Sequence, residues 1–116
     1  MSMDPAQTNS DLYKVVFENE RVRVLEYLDH PGDRTTPHAH PDSVMYTLSS
    51  FRRRLYGVDD ASRDVELQAG FTAWLPAQTH AGHNIGETDT HVIFVELKAA
   101  ADPAAGDLGP AGPVVR

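Results

Sequence analysis

Apolar and polar positions alternate along most of this chain, and they do so in short runs. In "RVRVLEYL" (21–28), Arg21, Arg23, Leu25 and Tyr27 alternate with Val22, Val24, Glu26 and Leu28. A period of two is the signature of a strand, where successive side chains point to opposite faces. "YKVVFEN" (13–19) is a similar run, separated from the first by the turn-like pair Asn19-Glu20. "DHPGDRTTP" (29–37) reads as a loop, with Pro31-Gly32 its strongest turn signal. "SVMYTLSSFRRRLYG" (43–57) reads as one long strand, or two joined at Ser49-Ser50. "VDDASRD" (58–64) reads as a turn. "VELQAGFTAWLPA" (65–77) predicts two short strands broken at Ala69-Gly70, and "HAGHNIGETD" (80–89) a glycine-rich loop. "THVIFVELK" (90–98) is the clearest strand of all. No amphipathic helix of ten residues or more is visible between 12 and 98, so the pattern predicts an all-β sandwich or barrel.

Length and composition narrow this. The 116 residues suit one domain, and 41% apolar residues allow one real core. The predicted layout is a flexible polar arm at 1–11, a barrel at 12–98 and an Ala/Gly/Pro-rich tail at 99–116. The net charge of −7 argues against nucleic acid or an anionic membrane as partner, since both need a basic face. Cysteine is absent, which removes disulfides, thiolate metal sites and a cysteine nucleophile. The polar start "MSMDPAQTNS" shows no signal-peptide core, and no run approaches the roughly 20 apolar residues of a membrane span. A cytoplasmic location is the default expectation.

The chemistry lies in the histidines. "TTPHAHPDS" places His38 and His40 two residues apart between Pro37 and Pro41. In a strand they share a face, roughly 6.5–7 Å apart at their bases, close enough for both rings to reach one ion. "GFTAWLPAQTHAGHN" (70–84) adds Gly70, Pro76, His80 and Asn84. With Gly32 ahead of His38 and His40, these residues resemble the two motifs of the cupins, small β-barrels of jelly-roll type. The first motif is G-x5-H-x-H-x3-4-E-x6-G and the second G-x5-P-x-G-x2-H-x3-N. One residue is missing between Pro76 and His80, and Gln78 stands in place of the second glycine. The resemblance covers roughly residues 14 to 97 and implies a cupin barrel of the conserved-barrel type.

It also implies a metal held by His38, His40 and His80. The family's glutamate has no counterpart: its place falls on Ser43 or Val44, with Asp42 just ahead. A three-histidine face suits Fe, Zn, Ni, Cu, Mn or Co over Mg or Ca, and the resemblance to the family's three-histidine dioxygenases implies Fe first among them. Asp42, His83 or Glu96 remain as groups that would complete the site. Strand parity from His40 places Tyr46 inward as a catalytic hydroxyl, and His83 is a second candidate acid or base. Arg52 and Arg54 share a face, where they would clamp a carboxylate or else pair with acidic residues on an exposed sheet. Trp74 and Phe71 are expected to line the barrel, with Trp74 as a substrate wall. His30 is expected in a turn and His91 at the rim.

Three functions follow as expectations. The first is a metal-dependent enzyme acting on a small molecule, similar to the three-histidine iron dioxygenases of the family. The second is a non-catalytic module that binds or senses a small molecule or metal. The third is a metal-free acid–base isomerase or lyase. By family resemblance a homodimer is expected.

Overall fold

The computed structural model describes residues 2–98. It contains one helical turn, α1 (Pro5–Thr8), and nine strands. These are β1 (Tyr13–Glu18), β2 (Val22–Asp29), β3 (His38–His40), β4 (Ser43–Thr47), β5 (Phe51–Tyr56), β6 (Ser62–Leu67), β7 (Thr72–Leu75), β8 (Gln78–Asn84) and β9 (Thr90–Leu97). They form a five-stranded sheet in the order β1-β2-β9-β4-β7 and a four-stranded sheet in the order β3-β8-β5-β6, with every pairing antiparallel. The predicted all-β barrel is what forms. The tail expected at 99–116 lies outside the described residues. Among the described residues no helix is long and apolar enough to cross a membrane.

Several boundaries differ from the pattern reading. The run 43–57 is two strands, because the chain turns through residues 48–50 to leave one sheet for the other. The glycine-rich stretch at 80–84 is strand, not loop: β8 pairs with β3 on one side and β5 on the other. Glycine weakens a strand unless another group needs the space, and at Gly82 an arginine does, as shown below. β6 starts inside the predicted turn. Residues 57–61 connect the strands, with Asp59 and Asp60 at the tip at φ of 57° and 60°, a left-handed pair that aspartate tolerates in turns.

The segment expected as a loose arm is docked over its described part. Asp4 caps α1 by accepting from the Ala6 N–H at 2.9 Å, and Pro5 sits buried at the first helical position. The Ala39 N–H in β3 donates to the Met3 carbonyl at 2.7 Å. Polarity alone predicts an arm; these bonds to β3 hold it in place.

The buried apolar residues are Tyr13, Leu25, Tyr27, Phe51, Val92 and Phe94. Burying a side chain such as Leu25 stabilises the fold by roughly 1.5–3 kcal/mol. Among the described residues eleven polar or charged ones are equally buried, including Asp29, His38, His40, Ser43, Arg53, Asn84 and Glu96. Polar groups are that frequent inside a small domain only where they are partnered or functional. On the opposite, outer face of the larger sheet, Phe17, Val24, Val95, Val44 and Trp74 lie in register on successive strands.

Candidate metal centre and cavity

β3 and β8 pair so that His38 lies directly opposite His80, with His40 two residues along the same face. One ring nitrogen from each lies within 4.8 Å of the others. The ring centroids are 4.8, 5.0 and 5.1 Å apart. His38 and His40 are 1% and 3% exposed. Strand period places two of the histidines on one face of β3; only the β3–β8 pairing delivers the third.

Each imidazole is held from behind. His38 Nδ1 donates to the Thr36 carbonyl at 2.7 Å, His80 Nδ1 to the Gln78 side-chain oxygen at 2.7 Å, and His40 Nδ1 to Glu96 Oε2 at 3.3 Å. With the proton on Nδ1, every Nε2 carries a free lone pair. This is how metal-binding histidines are oriented by the groups behind them. Tyr13 Oη lies 3.3 Å from His38 Nε2 and 3.4 Å from His40 Nε2. Burial pushes the Tyr13 phenol well above its ordinary value, so it stays a donor. Burial also pulls His38 down to about 4 and His80 down to about 3, with the neighbouring imidazoles adding to the effect. Neutral imidazole is the form that binds metal.

The support reaches the N-terminal segment. Glu96 Oε1 accepts from Arg23 Nε at 2.9 Å, and Arg23 makes a two-pronged pair with Asp4 at 2.8 Å on both sides. Asn9 holds Thr36 in turn: its Oδ1 accepts from the Thr36 N–H at 2.9 Å. Residues 4 to 9 thus brace the groups that orient His40 and His38.

The cavity beside this cluster has a volume of about 390 Å³. Its wall is largely apolar, with Met45, Phe51, Leu55, Leu67 and Phe94 among the residues facing it. His38, His80, Tyr13 and Arg53 supply polar groups. Among the described lining residues there is no carboxylate.

Arg53 belongs to a second buried cluster. Its Nη1 donates to Asp29 at 2.5 Å and to Thr90 at 3.2 Å, and its guanidinium lies 5.1 Å from the Tyr27 ring centre. Asp29 also accepts from the Tyr27 hydroxyl and from Asn84 Nδ2, the latter at 3.0 Å. Gly82 makes room: a Cβ there would stand 2.5 Å from Arg53 Nη2.

The remaining sequence candidates are placed differently. Tyr46 does not face the cavity. Ser43, Met45 and Thr47 turn inward on β4, and Tyr46 is 43% exposed on the outer face, with its hydroxyl toward Gly70. The pleat restarts after Pro41-Asp42, so parity does not carry from His40. Arg52 and Arg54 likewise point outward, toward Asp64; Arg54 Nε donates to it at 2.7 Å. Arg53 between them is the inward arginine, on the face it shares with Phe51. His83 falls on the opposite side of β8 from His80, beside Arg34. Trp74, expected as a cavity wall, is 53% exposed on the outer face opposite Val44 and reaches only the border of the cavity, which Phe71 also lines. Asp42 is tied up by the Ala77 N–H at 2.8 Å. His30 pairs with Asp89 in an exposed turn, and His91 with Glu26 on the outer face.

Ser43, not Val44, is the inward residue at the place of the family's glutamate. It is fully buried and its hydroxyl has no partner. Glu96, opposite Ser43 in the β4–β9 register, supplies a carboxylate behind His40. Its alternation with Val92 and Phe94 was the one sequence signal for it. Tyr13 was missed, since nothing near it in the sequence marks it.

No protein-family model and no curated protein matches the sequence. Solved structures do match. A cupin domain from Bordetella pertussis Tohama I shares 28% identity with a TM-score of 0.70, over 76% of this chain and 93% of that one. The polyketide cyclase RemF from Streptomyces resistomycificus matches at 18% identity and 0.57, over 75% of this chain and 64% of that one. KdgF from a Halomonas species matches at 23% and 0.51, over 76% and 80%.

Proposed function

For a chain that is a small cupin, we propose a metal-dependent role on a small molecule held in the cavity. His38, His40 and His80 would hold one divalent transition metal. The carrying observation is that all three Nδ1 atoms face hydrogen-bond acceptors, leaving three Nε2 lone pairs for one shared point. Three neutral nitrogens with a buried carboxylate behind one of them fit Fe, Zn, Ni, Cu, Mn or Co. When bound, the metal would supply O2 activation if iron, or polarisation of a carbonyl if zinc or nickel.

The chain's own residues do the rest. The apolar wall excludes water from the reacting centre. Tyr13 offers a hydrogen bond at the metal side of the cavity, since its hydroxyl already lies against two of the ligands. The described wall carries no carboxylate to act as a base. The reading of a dioxygenase-like reaction, in which both oxygen atoms enter the substrate, rests on the similarity of the three-histidine set to that of the family's iron dioxygenases.

The test is the elemental content of untagged protein purified under low oxygen, beside a His38→Ala/His40→Ala variant. About one equivalent of a transition metal is expected, lost in the variant. Less than about a tenth of an equivalent, with none taken up on titration, would overturn the metal reading.

A further inference from the structure

We infer that Arg63 is the entrance residue of the cavity, and that it receives the carboxylate of an acid whose apolar body lies inside. This deepens the proposed function by naming a ligand class, and it rests on that reading only in taking the cavity as the ligand site.

The cavity opens on one side. β1 and β3, the edge strands at one end of the two sheets, are bridged by α1, whose Pro5 is buried, and Met3 is bonded to Ala39. β6 and β7, the edge strands at the other end, both line the cavity, with no described helix laid across them. Arg63, Val65 and Leu67 line it from β6, and Ala73 and Leu75 from β7. Arg63 is exposed at this lip, while Val65, Leu67 and Leu75 are half-buried.

Arg63 is the lining arginine without a counter-charge among the described residues. Arg53, the other one, is held by Asp29, and Arg52 and Arg54 lie toward Asp64 on the outer face. No carboxylate lines the cavity among the described residues, so none on the wall competes for Arg63. A planar guanidinium set among apolar side chains matches a molecule with a carboxylate at one end and carbon behind it. Register sets the length of that molecule. Leu55 on β5 pairs with Arg63 on β6 and with Gly82 on β8, so Arg63 and Gly82 stand two strand spacings apart, roughly 9.5 Å. His80 is two residues from Gly82 along β8, roughly 6.5–7 Å. An acid seated at Arg63 therefore needs a chain of several carbons to reach the histidines. The volume of about 390 Å³ admits one.

The test uses octanoate, octanamide and acetate as probes at low ionic strength. Binding is read by calorimetry and by the fluorescence of Trp74, the single tryptophan, at the cavity border. Octanoate should bind at least about tenfold tighter than acetate, because its CH2 groups leave water. It should bind roughly three- to fivefold tighter than octanamide, the weight of an exposed ion pair, and this difference should fade in about 1 M salt. Arg63→Gln should lose the preference for the acid while still binding both long probes, and Arg63→Glu should reverse it. Arg52→Gln, which removes an equal charge from the outer face, should keep it. No octanoate binding, acetate binding as tightly as octanoate, equal binding of acid and amide, a preference that survives Arg63→Gln, or one lost equally in Arg52→Gln would overturn the inference. The same titration on the His38→Ala/His40→Ala variant separates the two readings. A preference that persists there, beside a parent that holds no metal, leaves Arg63 in place and sinks only the metal. One that is lost there and kept in Arg63→Gln puts the carboxylate on the metal and sinks the role of Arg63.

Discussion

The inner wall carries two buried polar clusters, and they solve burial in opposite ways. Around Asp29 a carboxylate and a guanidinium neutralise each other, and Tyr27, Asn84 and Thr90 satisfy the pair further. Around His38, His40 and His80 no charge is needed. Three neutral rings turn their protons outward to acceptors and their lone pairs inward. The first cluster is nearly complete by itself. The second is complete only when something takes the lone pairs, and Tyr13 is a single donor shared between two of them. A buried network that closes on itself serves the fold, and one left open at a point serves a ligand.

Removing Asp29 should break this contrast hardest. Asp29→Ala leaves Arg53 buried without its counter-charge and Tyr27 without an acceptor, while Asn84 keeps the Thr88 carbonyl. A loss of about 3–5 kcal/mol in urea unfolding is expected. A loss below about 1 kcal/mol would show that the cluster is not what holds this end of the barrel.

Glu96→Gln sharpens the comparison from the histidine side. The amide still accepts from His40 Nδ1, but the negative charge behind the ring is gone. Metal affinity should fall roughly 10–100-fold in competition with a chelator. Unchanged affinity would mean that Glu96 serves only Arg23.

The smallest effect concerns the brace. Arg23 holds the Asp4 carboxyl below its ordinary value of 3.8. The unfolded chain therefore takes up this proton first. The stabilisation is full above pH 3.8 and is lost as pH falls through the lower folded value. Between about pH 5 and 3, Asp4→Asn should show a flatter decline of urea midpoint than the parent. Parallel declines would mean that the Asp4–Arg23 pair contributes nothing to stability.

The period of two in 21–28 and 90–98, the pair His38-x-His40 and the spacing from Gly70 to Asn84 were enough for an all-β barrel with a histidine site. These are local signals: strand parity and motif spacing depend on neighbours in the chain. Parity failed where the chain changes course. Parity carried from His40 across Pro41-Asp42 points Tyr46 inward, and the pleat restarts there; for Arg52 and Arg54 the expected alternative of an exposed face pairing with acidic residues is what forms, against Asp64. His83 was separated from His80 only once residues 78–84 proved to be strand.

What the sequence by itself determined is the strand pattern and the identity of the three clustered histidines, because both follow from alternation and spacing within short segments. The tertiary structure alone decided which residues complete the site. Tyr13 on β1, Glu96 on β9, Arg53 on β5 and the brace from residues 4 to 9 reach the barrel interior through pairings between strands far apart in the chain. No local pattern encodes that convergence, because side chains 24 to 73 positions apart meet there only after the sheets have closed.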